Sequence, residues 1–436
     1  MFAFAARSVF QHRATSLATA IIAVVGIALV SAMAALLDTG LADERPSEFL
    51  TVFPLIVGGW IVAIVVFAMV STVAVALEAR AGEFVGIRLI GAEPRQIRAL
   101  VTIETALVAA VSTVPGLALG YVLGWGLCSL IGAVGPVGAA PAYAPGIPLP
   151  LLGGVAVFAA AMIAGFVSSR RAARGSVLGE GPAEHGARVS ARTRRIAASV
   201  VLAVGVASAL AALAFDAGSV LTTAMTGPAC VLIAVGLSLL ASEQTAIVKT
   251  VLARSSRRGS ASRWLAARNL GAAPDRSRPL VTFLTLFVGI AAGTLSMQGI
   301  ENASAGSAPD AQLIASINYL VVGLLATFMA VALVNNLIAM ILRRRPEFGM
   351  MRLVGATPAQ SRAVLLQEVL ATASTSAVAG VAGALVAGIP YAIVKTGSAA
   401  AAFAPLPYLA VGVVGVGLAV VVSALTTARA LRGMPA

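Results

Sequence analysis

At 436 residues, 59% of them hydrophobic and only 11% charged, with mean hydropathy +0.97, the chain is too apolar for a soluble globule. A formal charge of +13 would suit nucleic acid. However, the basic residues sit in short segments between apolar runs, with no basic stretch interleaved with aromatics, which argues against a nucleic-acid partner. Long apolar runs in place of short alternating strands exclude a β-barrel and leave an all-α polytopic membrane protein.

Arg7 and Arg13 open the chain and are followed by an apolar run from about 17 to 37. That run exceeds the roughly 7–15 residues of a signal-peptide core, so it reads as a retained first span. Ten spans are predicted in all, at roughly 16–37, 51–77, 104–130, 148–168, 196–214, 219–241, 279–298, 315–342, 366–394 and 405–428. Asp216 leaves a tight turn between spans five and six, where a paired re-entrant hairpin is the alternative. With a cytoplasmic N-terminus the outer loops hold Asp38, Asp43, Glu44, Glu48, Asp216, Glu301 and Asp310, but only Arg45 and Lys395 as bases. The other 28 of the 30 Lys and Arg fall inside. The positive-inside rule then puts both termini in the cytoplasm. Cys128 and Cys230 lie in apolar segments without metal-ligand spacing and read as small core residues.

One stretch occurs twice. EFVGIRLIGAEPRQIRALVTIE from Glu83 returns as EFGMMRLVGATPAQSRAVLLQE from Glu347, at a fixed offset of 264 without a gap. Glu83, Phe84, Arg88, Leu89, Gly91, Ala92, Pro94, Gln96, Arg98, Ala99 and Glu104 all recur identically. In the span that follows, Gly116, Gly120 and Gly124 map to Gly380, Ala384 and Gly388, a spacing of four that puts small residues on one helix face for close packing. Ala6-Arg7 before span one is matched by Ala267-Arg268 before span seven, at an offset of 261. The chain therefore divides into two parallel four-span units, 1–175 and 262–436, joined by a two-span linker over 176–261.

Each island falls between the second and third spans of its unit and reads as a short helix, a break and a new helix. Gly91 and Gly355 suit the left-handed residue that ends the first helix, and Pro94 and Pro358 suit the first turn of the next. Phe84 and Phe348 give a polar element one bulky apolar knob. Glu83 with Arg88, and Glu347 with Arg352, supply charges for a partner or for a local pair. Glu104 and Glu368 sit at inner span ends, where a carboxylate stabilises a helix N-terminus, with a proton relay as the alternative.

The pattern PEFGMMRLVGATPAQSRAVLLQE, with its first copy carrying Val85 where the second has glycine, resembles the FtsX-like or MacB-type permeases of ABC transporters. The resemblance covers both four-span units. It implies that each island is a coupling helix docking on an ATP-binding subunit, with Glu83, Phe84, Arg88, Gly91, Glu347, Phe348, Arg352 and Gly355 as the docking residues. It likewise implies elbow helices at Arg7 and Arg268, two copies of the ATP-binding partner carrying ATP and Mg, and residence in a bacterial cytoplasmic membrane. Asn335, with Ser71 as its counterpart, fits a polar position of such permeases and could bond across helices. The ten-span arrangement is similar to bacitracin-resistance-type permeases, but the loop over about 299–314 is too short for their large extracellular domain.

No nucleotide-binding loop occurs, because neither Lys249 nor Lys395 lies in a G-x-x-x-x-G-K-[ST] context. His12 and His185 are isolated, so neither a catalytic nor a metal constellation is expected. The implied function is a permease subunit exporting or extracting an amphiphile such as a lipid, peptide or drug. A force-transmitting regulator of envelope enzymes and an ion-coupled secondary transporter remain alternatives.

Overall fold

A computed structural model describes residues 7–9, 11, 13–42, 48–134, 142–173, 184–256, 261–305 and 309–432. Ala6, His12 and the loop residues Asp43, Glu44 and Arg45 lie outside the described residues. Among those described, the secondary structure is entirely helical, and ten helices are long and apolar enough to cross a membrane. The chain is an all-α polytopic membrane protein. Proline punctuates it: the third and fourth spans of both repeats begin on Pro94, Pro148, Pro358 and Pro405, where the missing N–H removes no intrahelical bond.

Two compact units emerge, Met1–Arg188 with Ala305–Phe328, and Val189–Ser304 with Met329–Ala436. In the first, α1 (Arg13–Ala42) packs against α2 (Glu48–Ala79), α4 (Pro94–Val134) and α5 (Pro148–Ala173). Between α2 and α4 in the chain comes α3 (Ala81–Leu89). Lipid tails are as apolar as leucine, so such helices associate through close packing. A Cβ on Gly116 would stand 2.7 Å from Ile27 Cβ, and one on Gly120 would stand 2.7 Å from Ser31 Cβ. At Gly124 the nearest atom would be the Tyr143 hydroxyl, at 2.8 Å.

The second unit contains α6 (Glu184–Ala211), α7 (Val220–Leu239), α8 (Ala241–Ser256), α9 (Ala261–Ala272) and α10 (Arg278–Ala305). After α11 (Pro309–Leu342) come α12 (Arg345–Leu353), α13 (Pro358–Thr396) and α14 (Pro405–Arg432). Its third-span helix, α13, repeats the close approach of α4. A Cβ on Gly380 would meet Val288 Cβ and Gly289 N at 2.9 Å, and Ala384 packs beside Gly293. Gly388 differs, with only the Tyr408 hydroxyl near, at 3.9 Å.

The stretch over 176–261 holds the spans α6 and α7. Its two spans pack as part of the second unit, with α7 seated on α13. Gly383 makes room, because a Cβ there would lie 2.7 Å from Leu237 Cδ1. The matching first-unit residue is Leu119, which is 48% exposed.

One polar network joins α7, α10 and α13. Lys395 Nζ donates to Glu301 Oε1 at 2.9 Å, and the Tyr391 hydroxyl donates to Glu301 Oε2 at 2.5 Å. Thr223 stands 3.3 Å from the same hydroxyl. At the matching positions of the first unit stand buried Leu127 and Ile131.

Candidate functional site

Both islands are built on the same plan. Arg80 and Arg344 are the residues from which the short helices α3 and α12 start, and their backbone carbonyls accept the first helical N–H bonds, from Phe84 (3.2 Å) and Phe348 (3.1 Å). Each short helix ends in a Schellman turn. Ala92 N–H reaches back to Ile87 O and Gly91 N–H to Arg88 O; Ala356 and Gly355 do the same to Met351 and Arg352. That turn needs a left-handed residue, and Gly91 (φ 98°) and Gly355 (φ 91°) supply it. In the second island the following helix also gains a capping box, with Gln360 N–H bonded to Thr357 Oγ1 and Thr357 N–H to Gln360 Oε1.

Gly355→Ala should cost the turn about 1–2 kcal/mol, the penalty for an L side chain at positive φ. An added Cβ would touch nothing within 4 Å, so the penalty is purely conformational. Amide exchange in the α12 turn should rise roughly tenfold, while Gly349→Ala, in the same helix with equally open space, leaves it unchanged or slower.

The aromatic knobs, Phe84 and Phe348, point inward. Phe84 and Phe348 are each 1% exposed, and Phe84 is enclosed by Val73, Leu77, Ile97, Val101 and Ala164. What the islands present outward is a different apolar pair one turn further on. Leu89 and Ile90 are 67% and 86% exposed, Leu353 and Val354 85% and 89%. The spacing accounts for both results: residues four apart share a helix face, so Arg80 with Phe84 and Arg344 with Phe348 turn inward together. Leu89-Ile90 and Leu353-Val354, at the helix end, point away.

The island carboxylates have partners within their own units. Glu83 bonds Arg80 (3.3 Å), and Glu347 bonds Arg344 (3.2 Å) and also Arg276. Glu104 and Glu368 are not at helix starts. The helices α4 and α13 begin ten residues earlier, at Pro94 and Pro358, so both carboxylates lie in the third turn, buried. There they meet the same arginines. Arg80 donates two bonds to Glu104, of 2.6 and 3.3 Å, and Arg344 donates two to Glu368, of 2.6 and 3.2 Å.

A third member completes each clamp. Ser8 Oγ accepts from Arg80 at 2.7 Å, whereas Asn269 Nδ2 donates to Glu368 at 3.1 Å. Ser8 and Asn269 are 261 apart, the same offset that relates Arg7 to Arg268, so the correspondence reaches the segments before each first span. A small cleft adjoins each clamp, and its walls match through the same two offsets: Val9, Ser16 and Ala76 in one, Leu270, Ser277 and Met340 in the other. Burial opposes the charge on Arg80, yet Glu104 and Glu83 outweigh it and hold the guanidinium above its ordinary pKa.

Elsewhere, Arg7 is exposed, and Arg268 lies on α9 with its guanidinium 5.7 Å from the Trp264 ring centre. Asn335 makes no cross-helix bond through Nδ2, which is buried without a partner. Its neighbour Asn336 bonds back to Ala332 O at 2.8 Å.

Comparison with protein families yields one finding that accords with this geometry. A family model described as FtsX-like permease C-terminal matches residues 55–177 and again 319–435, together more than half of the chain. The two matches begin 264 residues apart, the offset of the islands. No curated protein matches the chain.

Proposed function

The chain belongs to the FtsX-like permease family, multi-pass membrane permeases of ABC-type systems, and from that premise we propose that its two islands are coupling helices receiving work from separate ATP-binding subunits. Two copies of such a subunit, each carrying ATP and Mg, would engage the two islands from the cytoplasmic face of a bacterial plasma membrane. ATP hydrolysis resides on them and not on this chain. Their closure would move both units to export or extract an amphiphile, in the manner of MacB-type efflux.

One observation carries the reading. Each island ends in an exposed apolar pair, Leu89-Ile90 or Leu353-Val354, held out by a left-handed glycine and backed by a buried phenylalanine. Such a knob on a rigid stub is what an apolar cleft recognises, since most of an interface's energy comes from a few well-packed anchors. Glu83, Arg88 and Arg352 would form its polar rim.

The test is affinity purification of the tagged chain in mild detergent from cells that express it naturally. An ATP-hydrolysing protein should co-purify at two copies per chain. Ile90→Asp/Val354→Asp should reduce its recovery at least tenfold while the permease keeps its helicity and melting temperature. Undiminished recovery in that variant, or no ATPase with the unaltered chain, rejects the proposal.

A further inference from the structure

Presenting an apolar tip would require no more than the packing of Phe84 and Phe348, yet both islands also carry a buried three-segment clamp. We infer that Arg80 and Arg344 are positioning residues that lock the short helix, the segment before the first span and the third-span helix of each unit into one lever. Displacement of the tip is then delivered to α4 or α13 and not absorbed at the joint. The lever's use in coupling rests on the function proposed above; its rigidity does not.

The placement of the arginine is the first argument. Its backbone carbonyl starts the short helix while its guanidinium holds the third-span helix, so no hinge separates tip from span. The second is its chemistry. A guanidinium is a planar fork that grips a carboxylate at two points and still reaches another, as Arg344 does with Glu368 and Glu347; an ammonium is a point charge without that geometry. The third is burial. Arg80, Glu104, Arg344 and Glu368 are all under 10% exposed, so bulk water has little access to the bonds. The fourth is internal repetition: the outer member changes from Ser8 to Asn269 and from acceptor to donor, while the arginine–glutamate fork is the same in both units. Arg276 adds a fourth member to the second clamp through Glu347.

Pulsed dipolar spectroscopy of spin-labelled full chain in lipid nanodiscs tests this without any partner. Labels at Val354 and Val378, both exposed, report the second lever; labels at Ile90 and Val114 report the first. Both native thiols, Cys128 and Cys230, are buried. Arg344→Lys keeps the charge balance but loses the fork, and it should broaden the Val354–Val378 distance distribution at least twofold at unchanged helicity. Arg80→Lys should do the same for the first pair. Glu93→Gln, which removes only an exposed pair with Arg95, should leave both widths unchanged.

A merely stabilising ion pair predicts a lowered melting temperature with an unaltered distribution, and that outcome in both variants overturns the inference. Should one variant fail to fold, the other unit's variant decides. Failure of the docking proposal shows instead in co-purification and leaves these widths as they are.

Discussion

Arg344→Leu should lower the thermal unfolding midpoint of the second unit more than any other single substitution in the islands. Its guanidinium and the Glu368 carboxylate are 7% and 10% exposed at the side chain, and leucine leaves Glu368 charged, buried and held only by Asn269. Removing one partner of such a pair costs about 3–5 kcal/mol, mostly as desolvation of the survivor. Replacing both partners by apolar groups is far milder, because no charge is then stranded. Arg344→Leu/Glu368→Leu should therefore recover most of the lost midpoint, as followed by thermal unfolding in detergent. Equal losses in the single and double variants would show that the fork contributes packing and little electrostatics.

The clamp was half legible in the sequence. Glu104 and Glu368 already belonged to the repeat, and extending the same offset three residues upstream pairs Arg80 with Arg344. Hydropathy concealed the rest. A carboxylate ends an apolar window, so hydropathy starts the third and ninth spans at about 104 and 366, whereas the helices run on inward to Pro94 and Pro358. A buried carboxylate that has found its arginine interrupts no helix.

The breaks themselves were readable, because positive φ selects glycine and the first helical turn selects proline. The orientation of Phe84 and Phe348 was not readable, since a bulky apolar residue in a polar island suits a partner's cleft and the protein's own core equally well. The seating of α7 on α13 did leave a trace, in the change from Leu119 to Gly383, which adds one small residue to the stripe of Gly380 and Ala384. Composition alone cannot say which neighbour an apolar helix will choose.

The Glu301 network offers the other large effect, and there the first unit acts as an internal control. Lys395 is 8% exposed at the side chain and Glu301 30%, so Lys395→Leu strands a largely buried carboxylate, retained by Tyr391 alone. The expected loss is about 1–3 kcal/mol, below the range for fully buried pairs because the Glu301 side chain is 30% exposed. The first unit fills the positions matching Tyr391 and Lys395 with Leu127 and Ile131, both buried, so apolar side chains are accommodated there. Lys395→Leu/Glu301→Leu should accordingly melt close to the unaltered protein, with Tyr391 keeping its contact to Thr223. If the double variant is as unstable as the single one, the network is structural in a way its counterpart is not. If it melts normally while transport changes, the polar network has been retained for function, and the asymmetry between the two units has a working role.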